Sequence, residues 1–167
     1  ARGDLRRRQD DLEGAAADFD AAHALFVDVQ DRLGQANVLK ARGDLRRRQD
    51  DLEGAAADFD AAHALYVDVQ SRLGQANVLQ ARGDLEQARQ AWNAALEWYE
   101  QALSIYLTSG NVYGASNVLA ELCKVFIALE AWERLFLSLE QGLPLARRSQ
   151  NRYALAILEQ LQRALGK

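Results

Sequence analysis

Residues 1–40 and 41–80 of this chain carry the same sequence except at three positions: Phe26 against Tyr66, Asp31 against Ser71, and Lys40 against Gln80. A third copy over 81–120 keeps the Ala81-Arg82-Gly83-Asp84-Leu85 opening, and a fourth from 121 onward keeps mainly the apolar pattern. A fixed period of 40 residues restricts the chain to an array in which each unit packs on its neighbours. Composition then selects the kind of array. One Pro, no Met and abundant Ala, Leu, Arg, Gln and Glu predict helix nearly throughout, so the expected fold is all-α.

Each period is punctuated twice. The position shared by Asp31, Ser71, Asn111 and Asn151 always holds a side chain able to accept a helix N-terminal N–H. Asp10-Asp11 and Asp50-Asp51 mark the second break, where Asp50 and Glu53 form a capping-box-like pair. Two helices per repeat follow: helix A over about 32–49 and helix B over about 51–69, each about 27 Å long. Helix B gathers Leu52, Ala55, Ala56, Phe59, Ala62, Tyr66 and Val69 in one apolar sector. Helix A has two apolar stripes instead, Ala36-Leu39-Gly43 and Val38-Ala41-Leu45, and so requires neighbours on two sides. Between the stripes lies a polar strip of Asn37, Lys40, Asp44, Arg47 and Arg48, which recurs as Asn77, Gln80 and Asp84 and then as Asn117 and Lys124.

The small residue of helix A (Gly3, Gly43, Gly83) is followed in helix B by an Ala, a bulky ring and an Ala: Ala15, Phe19, Ala22; Ala55, Phe59, Ala62; Ala95, Tyr99, Ala102. In this the chain resembles the tetratricopeptide (TPR) repeat family, and the segment from Ala91 to Leu103 looks most typical. The 40-residue period is similar to the longer variant found in polarity-adaptor and bacterial signalling proteins. The resemblance covers essentially the whole chain and implies a right-handed superhelical solenoid of antiparallel helix pairs. One domain over 1–167 is expected, with repeats 1–40, 41–80, 81–120 and 121–150 and a capping helix over 151–167. Two departures stand out. Arg2, Arg42 and Arg82 replace the usual Leu before the helix A Gly, and Val27 and Val67 replace the usual Pro. In the fourth repeat the small positions become Cys123, Leu135 and Gly142. Ala1 falls in mid-helix without an initiator Met, so the chain reads as a fragment whose N-terminal end invites end-to-end self-association.

Little in the sequence suggests reaction chemistry. It has no Gly-rich phosphate loop, no His-Glu-x-x-His helix and no Gly-x-Ser-x-Gly elbow. His23 and His63 lie in the apolar sector of helix B, where Leu103 and Leu143 stand in later repeats, which marks a packing position rather than a metal or acid–base site. Cys123 takes the place of a packed Gly and is expected to be an inert buried thiol. Trp92 and Trp132 stand where Leu12 and Leu52 do and are expected in the core. The expectation is therefore no enzyme, no metal and no cofactor.

The triplets Arg6–Arg8 and Arg46–Arg48 do not read as a nucleic-acid site. Helical spacing spreads them over different faces, and 24 acidic residues outweigh 20 basic ones, leaving a net charge of −4. No apolar run reaches the roughly 20 residues of a membrane span, so no membrane partner and a cytoplasmic location are expected. The recurring Asn37, Asn77 and Asn117 carry both donor and acceptor and can hold an extended peptide backbone. In the resembled family the concave face of the A helices binds peptides through such residues. The alternative role for these amides is to tie one helix to the next. Arg7, Arg8, Lys40, Arg47 and Arg48 against Asp4 and Asp44 make the strip basic at its N-terminal end, whereas Ala120, Lys124, Ile127 and Ala128 make it more apolar later. The expected function is a non-catalytic scaffold that takes an acidic protein segment on Asn37, Lys40, Asp44, Arg47, Asn77, Gln80, Asp84, Asn117 and Lys124. The alternative is a self-associating structural or spacer array, natural or engineered.

Overall fold

Every turn of this protein is built the same way. At Gln30, Asp50, Gln70, Gln90, Gly110, Glu130 and Gln150 the backbone enters the left-handed region, with φ between 54° and 71°. At the second of these turns Asp50 N–H donates to the Arg47 carbonyl (3.2 Å) and Asp51 N–H to the Arg46 carbonyl (3.0 Å), the paired bonds of a Schellman motif. The next residue caps the following helix: Asp31 accepts from Gly34 N–H, Asp51 from Gly54, Ser71 from Gly74, Asn111 from Gly114 and Asn151 from Ala154. All four expected caps of the A helices are thus made. In the second break the cap is Asp51; Asp50, expected to open the capping box, is the left-handed residue that ends the helix before it.

These turns cut a computed structural model into eight helices: α1 (Arg2–Asp28), α2 (Arg32–Arg48), α3 (Leu52–Asp68), α4 (Arg72–Ala88), α5 (Trp92–Thr108), α6 (Val112–Ala128), α7 (Trp132–Arg148) and α8 (Arg152–Ala164). The structure describes the backbone of residues 2–166 and the side chains of residues 14–166. Expectations placed on Gly3, Asp4, Arg6, Arg7, Arg8 and Leu12 lie outside the described side chains. The fold is all-α, a repeated array of helix pairs. One expected break is absent: α1 runs unbroken through Asp10-Asp11. In the second copy the same residues turn, and the hairpin packs α2 on α3.

The chain divides into two compact units, Ala1–Gly74 and Gln75–Lys167. In the first, α2 packs against α1 on one side and α3 on the other, as its two apolar stripes require. Ala36, Val38, Leu39, Gly43 and Leu45 are all buried. In the second, α6 lies against α5, α7 and α8, and Ala115, Val118, Leu119, Leu122, Cys123, Val125 and Phe126 fill the centre. α8 takes the expected place of a C-terminal cap, with Leu158 fully buried on α7. Trp92 packs partly against this core, but Trp132 is 49% exposed, contrary to expectation. Trp92, an indole at the same register of α5, is half-buried, so the size of the side chain does not account for the exposure of Trp132.

Glycine sets the spacing between helices. A Cβ built on Gly43 would lie 2.6 Å from the Phe59 ring, and one on Gly83 would lie 2.5 Å from the Tyr99 ring, so each ring rests on bare backbone of the A helix before it. The second ring of each B helix, seven residues on, does the same with the A helix after it: Phe26 on Gly34, Tyr66 on Gly74, Tyr106 on Gly114. In the fourth copy Leu139 with Cys123 and Ala146 with Ala154 hold these positions, all buried. Arg42, in the unusual position before Gly43, grips the buried Asp58 with two bonds of 2.9 and 2.6 Å and reaches Asp20 at 2.5 Å. Arg82 stacks instead over Trp98, 5.1 Å from its ring centre.

Two kinds of turn position can be improved. α5 and α7 begin at Ala91 and Ala131 with no side-chain cap, so Ala91→Asp or Ala131→Asp, copying Asp51, should each raise stability by about 1 kcal/mol. Gln70→Gly should relieve the left-handed strain for a similar gain of about 1 kcal/mol. Urea unfolding followed by circular dichroism checks each one; a midpoint unchanged in all three variants would contradict this account of the turns.

Candidate functional site

The polar strip of the A helices is held from behind by tyrosines of the B helices. In the first unit Tyr66, 4% exposed, donates its hydroxyl to Asn37 Oδ1 at 2.7 Å. In the second, Tyr106 donates to Asn77 Oδ1 at 2.7 Å and lies 3.1 Å from Gln80 Oε1. Tyr99 reaches Asp84 Oδ1 and Gln87 Oε1, both at 2.7 Å. The asparagines therefore do tie helix to helix. Asn37 and Asn77 nonetheless remain exposed, and their Nδ2 groups have no hydrogen-bond partner among the described residues. A hydroxyl that occupies the amide oxygen restrains the amide and leaves its NH2 group to other acceptors.

The fourth copy solves the same problem differently. Ala146 has no hydroxyl to offer Asn117, and Asn151 supplies the donor: its Nδ2 reaches Asn117 Oδ1 at 2.5 Å and Ser116 Oγ at 2.9 Å. Asn151 is fully buried while its own oxygen caps α8. Asn117 is correspondingly only half-exposed.

The remaining predicted residues are charged. In the first unit Lys40 donates to Asp44 at 2.6 Å, and Arg47 is half-buried on the same helix. In the second, Lys124 donates to both oxygens of Glu121, at 2.9 and 3.0 Å, and lies 3.0 Å from the Tyr153 hydroxyl, which itself bonds Glu121. Burial works against the Lys124 ammonium, yet its bonds to Tyr153 and Glu121 prevail and raise its pKa. Ala120, expected on the strip, is fully buried, whereas Ile127 is exposed as expected. Glu121 and Tyr153 escaped the sequence reading because Ala41 and Ala81 hold the place of the first in earlier copies, and Leu33, Leu73 and Tyr113 that of the second. Their joint occurrence in one copy was the available signal. Asp84, Glu121 and Lys124 leave this part of the strip net acidic.

Burial, and then the Asp84 charge, raise the pKa of Tyr99 and Tyr106; burial alone raises that of Tyr66. Burial pushes the Cys123 thiol up to about 12, with the Glu121 charge adding to it. Cys123 is buried, as expected, and the shift keeps its thiol protonated at neutral pH. His23 and His63 are half-buried. Among the described residues no group of three or more His, Cys, Asp or Glu could hold a metal ion, and no helix is long and apolar enough to cross a membrane. Cavities of about 220 Å³ between α7 and α8 and about 170 Å³ between α5 and α7 contain none of the predicted residues. No protein-family model matches this chain, and no curated protein is similar to it.

Each raised pKa means that the folded state holds its proton more tightly than the unfolded chain does. This stability is complete below the unfolded values, about 8.5 for Cys and about 10 for Tyr, and is lost as pH climbs toward the folded ones. Urea midpoints should hold steady at neutral pH and fall from about pH 9 upward, with the early part of the fall reduced in Cys123→Ala. Tyr106→Phe should cost about 1 kcal/mol at neutral pH and flatten the fall near pH 10. A midpoint independent of alkaline pH would refute the protection of these groups.

Proposed function

We propose that the chain is a non-catalytic interaction scaffold of the TPR kind, which takes an extended segment of a partner protein along the polar strip of its A helices. The observation that carries this reading is the anchoring of Asn37 and Asn77 by buried tyrosines. A side chain needed only to join two helices gains nothing from exposure. A side chain meant to hold a peptide gains from both exposure and restraint, because a restrained donor loses less freedom on binding. Amide donors pair with backbone carbonyls whatever the partner's side chains, so neighbouring charges set the preference. In the first unit Lys40, Arg47 and Arg48 outnumber Asp44, which favours acidic side chains there. In the second, Asp84 and Glu121 outnumber Lys124 and favour a basic residue. The paired helices and the Gly-on-ring contacts support the TPR resemblance. The reading also assigns no reaction, no cofactor and no nucleic acid to the strip.

A displayed-peptide selection against the intact chain tests this. Asn77→Asp is the informative variant, because it keeps the oxygen that Tyr106 needs and removes the NH2 donor. Peptides selected by the wild type should bind Asn77→Asp and the Asn37, Asn77, Asn117→Ala variant about tenfold or more weakly, with helicity preserved. Arg47→Glu should select against acidic peptides. Equal capture by all variants would remove the strip from the function while leaving the fold intact.

A further inference from the structure

The helices α5, α6 and α7 of the second unit stand at the same places in the repeat as α1, α2 and α3 of the first, 80 residues on. The space between the outer two helices of each trio is filled differently. In the first unit it holds charge. Arg42 reaches from α2 to Asp58 of α3 with bonds of 2.9 and 2.6 Å and to Asp20 of α1 at 2.5 Å, and Arg46 adds a contact of 2.9 Å to Asp58. In the second unit Glu100, Leu122, Phe126 and Ser138 take the positions of Asp20, Arg42, Arg46 and Asp58. Glu100 is paired instead by Arg134 of α7, at the position of Gly54.

This exchange builds a cleft. Its floor has sunk, because Leu122 is shorter than an arginine and carries no head group. Its walls have risen, because Arg134, Leu137 and Gln141 replace Gly54, Ala57 and Ala61. The outcome is the cavity of about 170 Å³ between α5 and α7, with Leu119, Leu122 and Phe126 of α6 at its base and Leu103 and Leu137 on its two sides. One polar group inside it is unused. Ser138 is 7% exposed and lines the cleft, yet its hydroxyl has no hydrogen-bond partner among the described residues, whereas Ser149 of the same hairpin donates to the Leu145 carbonyl at 2.8 Å. A hydroxyl so enclosed is normally bonded.

The geometry points to a binding site for a small neutral phenol. Size selects one ring, since an apolar cavity of roughly 150 Å³ accepts a benzene. Charge excludes an ion: Glu100 and Arg134 neutralise each other at the rim, and the carboxylate that holds Arg42 in the first unit is a serine here. Phe126 and Arg134, which lie 4.5 Å apart, both favour an aromatic ring over an alkyl chain. The Ser138 hydroxyl selects a ring that carries a hydroxyl of its own. The cleft contains no residue of the polar strip, so either assignment can fail alone.

Phenol titrated into the intact chain, with NMR of the leucine methyl groups as the readout, should give saturable shifts at Leu103, Leu122 and Leu137. Ser138→Ala should weaken phenol about fivefold and leave toluene binding unchanged. Leu137→Ala, at a 52% exposed position, lowers one wall and should weaken both ligands with helicity intact. Leu122→Arg combined with Ser138→Asp restores the charged filling of the first unit and should abolish both. Methylguanidinium should not bind the wild type. Absence of saturable shifts, phenol affinity unchanged in Ser138→Ala or in the double variant, or displacement of phenol by methylguanidinium would each overturn the inference.

Discussion

An aromatic ring lying on bare glycine backbone is the contact from which the rest of this structure follows. The B helices α3 and α5 each carry two rings seven residues apart and so on one face. The first ring is seated on the A helix before it and the second on the A helix after it, as Phe59 sits on Gly43 and Tyr66 on Gly74. One helix is thereby locked to two neighbours by the same chemistry. Protein interiors have no slack to absorb a methyl group 2.5 Å from a buried ring. The glycines cost helix propensity, about 1 kcal/mol each relative to Ala, and the close approach they permit outweighs that cost by burying whole rings. Where the ring is lost the glycine is lost with it, as Leu139 with Cys123 and Ala146 with Ala154.

The same rings shape the polar face. A Tyr that reaches through the array must satisfy its hydroxyl on the far side, and the acceptor it finds is an Asn or Asp of the A helix. The recurring asparagines therefore belong to the packing and to the surface at once. Tying helices and presenting donors are not competing roles, because each uses a different atom of the amide.

What could be read from sequence was local. The caps at Asp31, Ser71, Asn111 and Asn151 depend on residues three apart, and the faces of the helices depend on angular spacing alone. What escaped was non-local or positional. The Tyr66–Asn37 bond joins residues 29 apart, and Arg42 finds Asp58 16 residues away; nothing in a single copy announces either pair. The Phe26 and Tyr66 difference was visible but mute without the acceptor. Asp50 and Asp51 were separable only through backbone conformation, since both side chains can cap. Trp132 was expected inside from its register, yet it stands exposed where Leu52 and Trp92 at the same register are half-buried.

Divergence among the copies shows which contacts are constrained. Positions 42 and 58 hold Arg with Asp, positions 82 and 98 hold Arg with Trp, and positions 122 and 138 hold Leu with Ser. An ion pair has given way to a cation–π contact of 5.1 Å and then to a pair with no charge at all. Each step keeps the partners matched, because a buried Asp58 without its guanidinium would be far costlier than a smaller neutral pair.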